Sequence, residues 1–350
     1  MPPVRSLPAR SAIEKRFTWD TESVFAGDAE WEAEYDHVVS SLPDLAEFRG
    51  RLGDGPELLA DFLGAVERAR RSLGRMVVYA TMFSSVDSAD ESAAARSDRV
   101  RGLASRLGAT LAFADPEMLA IGVPRLRRWA RENERLRVYD HFFEVLERRA
   151  AHVRSDEVEE VLSLAADPLN TAAGVHGVLA NAELRFPPAH DSAGASIEVA
   201  QGTYGDLQSD PDREVRRSSW ESYSDAHLGM KKTMAAALAT GIKRDVFFAR
   251  ARRYSSALEA ALEPNHIPTE VFHNVIEEFQ ANVGTWHRYW RIRKRALGLQ
   301  RLQVYDTRAP LAGARVEMPY ERAVGWIAEG LAPLGEEYVE TMRRGALEDR

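Results

Sequence analysis

The chain contains no cysteine. That excludes disulfides, thiolate nucleophiles, iron–sulfur clusters and cysteine-ligated zinc. It also lacks any run of about eighteen uncharged apolar residues, so no transmembrane helix is expected. The N-terminus reads MPPVRSLPARSAIEKRF, with prolines and charges where a secretory leader would carry an apolar stretch. A cytoplasmic address is the expectation. Three short catalytic motifs are missing as well. None of the nine histidines is followed by glutamate, which removes the helical zinc motif H-E-x-x-H. No Gly-Lys precedes Ser or Thr as in a Walker loop, and no G-x-S-x-G elbow occurs.

What remains is ordinary globular composition: 350 residues, 45% hydrophobic and 29% charged. The formal charge is 46 − 54 = −8, which argues against a broad phosphate-reading face. Neither nucleic acid nor membrane is an expected partner, and the oligomeric state is left open.

Apolar spacing points to a mostly α protein. A helix capped by Asp28 places Trp31, Tyr35, Val38 and Val39 together. A second opens at Pro56, a favourable first-turn residue, and aligns Leu59, Phe62, Leu63, Val66, Leu73, Val77 and Ala80. Val100, Leu103, Leu107 and Leu111 form a third stripe. Shorter helices follow over 124–181, punctuated by Pro124, by Ser155 as an N-cap and by Asp167-Pro168. Residues 184–207 change character, with prolines, glycines and Ile197-Glu198-Val199, and read as a small hairpin or extended connection. Asp210-Pro211 opens a helical pattern to Arg252, on the order of 60 Å long if unbroken, with breaks to be sought at Gly229 or Gly241. Ser255–Leu262 is a short helix. Another runs from Pro268-Thr269 through Val271, Phe279, Trp286 and Ile292, followed by an extended piece at Leu302–Tyr305. The last helices fall at 320–331 and 335–347.

Few residues suggest chemistry. Glu-x-x-His occurs at Glu34/His37 and Glu270/His273, a spacing that puts both side chains on one helix face and in pairs can hold two irons. Coincidence is the preferred reading, and Glu263/His266 spans a proline. The run Trp286–Arg295 interleaves aromatics and cations as single-strand binders do. An amphipathic helix with a buried aromatic stripe and a solvated basic face is preferred. The acidic cluster Asp156, Glu157, Glu159 and Glu160 complements a helix N-terminus. Asp140-His141 and Asp225/His227 are read as structural.

Several segments together carry a family resemblance. DPDREVRRSSWESYSDA from Asp210, YSSALEAAL at 254–262, PNHIPTEVFHNVIEEF at 264–279 and HRYWRIRKRALGLQRLQVYDTRAPL at 287–311 occur in that order, with PYERAV and PLGEEYVE behind them and FTWDTESVF at 17–25 ahead. The ordered set resembles the oligoendopeptidase F branch of the M3 (thimet oligopeptidase-like) zinc metallopeptidases over nearly the whole chain. The resemblance implies an elongated, two-lobed helical peptidase body with a channel for short extended peptides. It implies an N-terminal lobe over 1–186, with the family N-terminal domain near 112–186, a connection at 187–207, and the N-terminal part of the catalytic domain over 208–350.

Family members hydrolyse oligopeptides with zinc held by H-E-x-x-H and a downstream glutamate. That helix lies beyond the region corresponding to Gly335-Glu336-Glu337-Tyr338. The expectation is therefore a partial chain, truncated before the zinc-binding helix. Zinc belongs to the intact family protein, and none is expected on these residues. No catalytic or metal residue carries over, and the resemblance does not identify the residues that line the channel. The loop from Tyr305-Asp306 to Pro310 is the one segment expected near a cleft by analogy. The alternative reading is a non-catalytic helical scaffold that binds a peptide or a partner. The last helices, with Trp326, Ile327, Leu331, Leu334, Tyr338 and Met342, are expected to lack part of their partner surface.

Overall fold

A computed structural model describes residues 12–87, 90–311 and 318–348; the N-terminal stretch read for a leader lies largely outside them. In chain order the helices are α1 (Asp28–Ala46), α2 (Pro56–Ser84), α3 (Glu91–Thr110), α4 (Ala114–Ile121), α5 (Val123–Glu132), α6 (Asp140–Arg148) and α7 (Asp156–Val178). Strands β1 (Ala189–His190) and β2 (Ser196–Ile197) follow. Then come α8 (Gln201–Leu207), α9 (Arg213–Gly229), α10 (Lys231–Ala251), α11 (Ala257–Leu262), α12 (Thr269–Ala281), α13 (Val283–Ala296), α14 (Tyr320–Gly330) and α15 (Glu336–Leu347). The protein is mostly helical, with one small antiparallel sheet.

Local chemistry explains most boundaries. Pro56 occupies the first turn of α2, where its missing N–H costs nothing. The Asp90 carboxylate caps α3 by accepting from Ser92 N at 2.9 Å and Ala93 N at 3.1 Å. Asp212 caps α9 through Glu214 N at 2.9 Å. In the hairpin, Ala189 pairs with Ile197 and His190 with Ser196. The Asp191 carboxylate gathers the Ala193 and Ala195 amides at 2.9 and 2.7 Å. Gly194 completes that turn at φ +81°, a conformation glycine adopts without a Cβ clash.

Five details differ from the sequence reading. Gly27, not Asp28, is the N-cap of α1, and Asp28 lies in its first turn. Ser155 holds the N-cap position of α7 but makes no side-chain capping bond. The Glu159 carboxylate instead reaches back to the Arg154 amide at 2.9 Å. Pro168 does not end a helix. α7 runs through it to Val178, because its packing against α3 and α10 outweighs the single ladder bond a proline removes. The 268–292 pattern divides at Asn282, whose amide and side chain both turn back to the Glu278 carbonyl at 3.1 and 2.8 Å. The expected extended piece before Asp306 is a 3₁₀ turn over Val304–Asp306, drawn tight by Gln303 N donating to the Asp306 carboxylate at 2.9 Å. Of the two glycines in the long 210–252 pattern, only Gly229 marks a break.

The described residues gather into two compact units. One takes residues within 24–183 and 231–277, the other residues within 1–23, 184–230 and 278–350. In the first, α1–α3, α7 and α10 pack side by side. Trp31, Phe62, Leu103, Phe113, Leu126 and Phe143 sit at the centre of a large apolar core. Burying a side chain of that size stabilises by about 1.5–3 kcal/mol. The second unit has a much smaller apolar cluster, Ala189, Val199, Leu207 and Val215, flanked by Phe186 and Ile197. There α9 packs on β1, on α8 and on the 304–306 turn, and α14 packs on α15. Trp326, Ile327, Leu334 and Tyr338 are exposed, while Val324 and Ala328 face inward. Among the described residues no helix is long and apolar enough to cross a membrane.

Candidate functional site

The sequence-flagged histidines do not converge. His37, on α1, borders an open cavity of about 450 Å³ with Ser41, Asp44, Asp61, Arg68 and Arg135. Glu270 and His273 lie on the solvent-exposed α12. His266 adopts a left-handed conformation at φ 54° after a 3₁₀ turn, and Glu263 accepts from the Tyr254 hydroxyl at 3.2 Å. Among the described residues no three His, Asp or Glu side chains come together in a way that could hold a metal ion. The residues on hand therefore do not fit a zinc centre.

Of the other flagged carboxylates, Asp140 and Glu159 have structural partners. Asp140 takes Arg127 in a two-pronged pair at 3.0 and 3.1 Å. His227 bonds the Tyr223 carbonyl through Nδ1 at 2.7 Å and lies against the Phe186 and Tyr223 rings. Glu159, from the acidic start of α7, receives Arg252 Nη1 at 2.6 Å. That pair ties the end of α10 to α7. Beside it, His152 stacks on Tyr254 at 3.7 Å and its Nδ1 lies 3.1 Å from the Arg252 carbonyl. Burial, and secondly Glu263, push the Tyr254 hydroxyl up to about 12. α7 and α10 also border an open, largely apolar cavity of about 600 Å³ lined by Ala173, His176, Met234, Leu238 and Ile242.

The densest polar arrangement is centred on Asp306, inside the loop singled out by analogy. Its side chain is fully buried. Arg213 donates to it from Nε at 3.0 Å and from Nη2 at 2.9 Å, and Arg216 Nη2 approaches Oδ1 at 3.3 Å. Arg216, itself buried, also donates to the Asp210, Pro211 and Tyr305 carbonyls. On the other side Arg293, buried in α13, donates to the Asp306 and Ala309 carbonyls. Burial pushes the Asp306 carboxyl up, but the bonds from Arg213, the Gln303 amide and Arg216 prevail and hold it below the usual carboxylate range. A buried carboxylate kept ionised by two guanidiniums has no free lone pair for a reacting proton. The cluster locks α9, α13 and the 304–306 turn together and is not a general acid or base.

The arginines of this cluster were missed from sequence. One signal was available: Arg216 lies on the same inward stripe of α9 as Val215, Ser219 and Ser222, and a charge on a buried stripe requires a buried counter-charge. The run Trp286–Arg295 also needs correction. Its aromatic stripe is not buried, since Trp286, Tyr289 and Ile292 are exposed. Arg293, at the same helical spacing, is the side chain that turns inward.

Residues 117–186 match the family pattern described as Oligopeptidase F, and residues 206–330 match Peptidase family M3. The chain is 32% identical over 345 residues to Oligopeptidase PepF of Bacillus subtilis (strain 168), covering 98% of this chain and 51% of that protein. It is 30% identical over 339 residues to Group B oligopeptidase PepB of Streptococcus agalactiae serotype III (strain NEM316), covering 97% of this chain and 56% of that protein. Among solved structures, the crystal structure of oligoendopeptidase-F from Enterococcus faecium superposes with a TM-score of 0.79 at 29% identity, covering 89% of this chain and 60% of that one. The chain thus spans about half the length of the curated relatives it matches.

Proposed function

The chain belongs to peptidase family M3, in its oligopeptidase F branch, and from that premise we propose that its residues form a non-catalytic part of a zinc-dependent oligoendopeptidase that hydrolyses short peptides. The observation that carries this reading is the ordered match of two family patterns over 117–186 and 206–330. Under it, residues 1–186 supply an N-terminal helical lobe, 187–207 a connection, and 208–350 the first part of the catalytic domain. The address is cytoplasmic and the substrates are oligopeptides.

The family's chemistry uses a zinc-activated water. The chain carries no H-E-x-x-H, and its described residues do not fit the metal. No catalytic step is therefore assigned to them. Their contribution is architectural: the Asp306 cluster fixes α9 against α13, and the Glu159–Arg252 pair fixes α7 against α10.

The test is hydrolysis of a quenched-fluorescent oligopeptide by the purified 350-residue chain. The expected rate is that of buffer alone. Turnover that a chelator abolishes would show a metal centre within these residues and overturn the reading. Saturable peptide binding without turnover would favour the scaffold alternative.

A further inference from the structure

The cavity beside His37 is a groove between two helices of one compact unit. His37, Ser41, Asp44 and Phe48 line it from one face of α1, and Asp61, Ala65, Arg68 and Ser72 repeat the same spacing on α2. The two helices run antiparallel. Trp31 Nε1 donates to the Met76 carbonyl at 3.3 Å, and the Phe48 and Phe62 rings lie 5.4 Å apart. Asp44 therefore stands at the level of Gly64. A Cβ added to Gly64 would lie 3.6 Å from Arg68 Nη1, so the Arg68 guanidinium leans back along α2 towards that same level.

Neighbouring surface arginines have carboxylate partners: Arg71 with Glu67, Arg51 with Asp54, and Arg135, at the end of the groove, with Asp61. Asp44 and Arg68 differ. Their side chains border one cavity, yet among the described residues neither makes a hydrogen bond or ion pair, with the other or with any third group. Leu45, Phe48 and Ala65 supply an apolar wall beside them. The two carboxylates of the lining, Asp44 and Asp61, balance its two guanidiniums, Arg68 and Arg135. A simple anion is drawn by the arginines and repelled by the carboxylates, and a simple cation meets the reverse. A molecule that carries both signs satisfies both. Its carboxylate takes the Arg68 fork, its ammonium donates to Asp44, and an apolar side chain covers Phe48 and Ala65. The volume of about 450 Å³ suits a small molecule.

We propose that the α1–α2 groove binds a small zwitterion with an apolar side chain, an α-amino acid or a dipeptide, between Asp44 and Arg68. This goes beyond the family reading and does not depend on it. The test is isothermal titration calorimetry of the purified 350-residue chain with leucine and, separately, with leucyl-leucine. Saturable one-to-one binding of at least one is expected, and the tighter ligand identifies the source. Asp44→Asn and Arg68→Gln alter exposed side chains, and circular dichroism checks that the helices are kept. Each should raise Kd about tenfold, the worth of one charge-assisted bond. Blocked ligands separate the two roles. N-acetyl-leucine, which lacks the ammonium, should bind the parent chain weakly and the Asp44→Asn chain no more weakly. Leucinamide, which lacks the carboxylate, should behave in the same way towards Arg68→Gln. No saturable binding of either zwitterion overturns the proposal. So does binding that both substitutions leave unchanged, or inorganic phosphate binding as tightly as the zwitterions.

Discussion

Asp306→Ala is the substitution with the largest predicted local effect in its unit. Removing the carboxylate leaves two guanidiniums facing the vacated site. Arg213 is 45% exposed and can turn to water, but Arg216 is only 5% exposed. Breaking a buried pair by deleting one partner costs about 3–5 kcal/mol. Arg216 keeps three carbonyl acceptors, which places the estimate at the lower end, about 3 kcal/mol. The 304–306 turn also loses the carboxylate that holds the Gln303 amide.

The assay is native-state hydrogen exchange on the amides of 303–309 and of α9. About 3 kcal/mol corresponds to roughly a hundredfold loss of protection there, with α1–α3 in the other unit unchanged. Adding Arg216→Met to Asp306→Ala should recover part of the loss, because removing both partners eliminates the stranded charge. In the parent chain the folded carboxyl titrates below the usual 3.8. Its contribution is complete at neutral pH and disappears as the pH falls from that unfolded value through the folded one. Asp306→Asn should abolish this acid limb. A loss of protection under threefold in Asp306→Ala, or no benefit from the second substitution, would refute the assignment of Asp306 as the lock.

Other expectations are simpler. Trp31→Ala should destabilise the first unit by about 3–5 kcal/mol, the usual cost of emptying an aromatic core site, since Trp31 is fully buried and donates to the Met76 carbonyl; urea unfolding followed by circular dichroism checks this. Asp90→Ala should cost about 1 kcal/mol by uncapping α3, visible as faster exchange confined to its first turn. Glu159→Gln should loosen the end of α10 by about 1.5–3 kcal/mol, the worth of a charge-assisted bond, and exchange at 247–252 reports it.

The helices were largely legible because their apolar residues recur at helical spacing, and because Pro56 marks the first turn of α2. Pro168 misled because a proline's local cost is small against the packing of a long helix between two neighbours. The Asp306 cluster was hidden by distance in sequence. Its arginines stand about ninety residues earlier on α9 and thirteen earlier on α13, and only the fold brings them to one carboxylate. The state of the α13 stripe was hidden for a different reason. Amphipathic spacing says which face of a helix is apolar, but not whether anything covers it. The family was legible through the ordered set of segments, since no single local pattern among these residues specifies it.

As part of a zinc oligopeptidase, these residues are proposed to hold no zinc site of their own. The most direct measurement is the metal content of the purified chain after dialysis against excess zinc and removal of free ion. Zinc well below one equivalent per chain is expected. One equivalent retained and removable only by a strong chelator would contradict it.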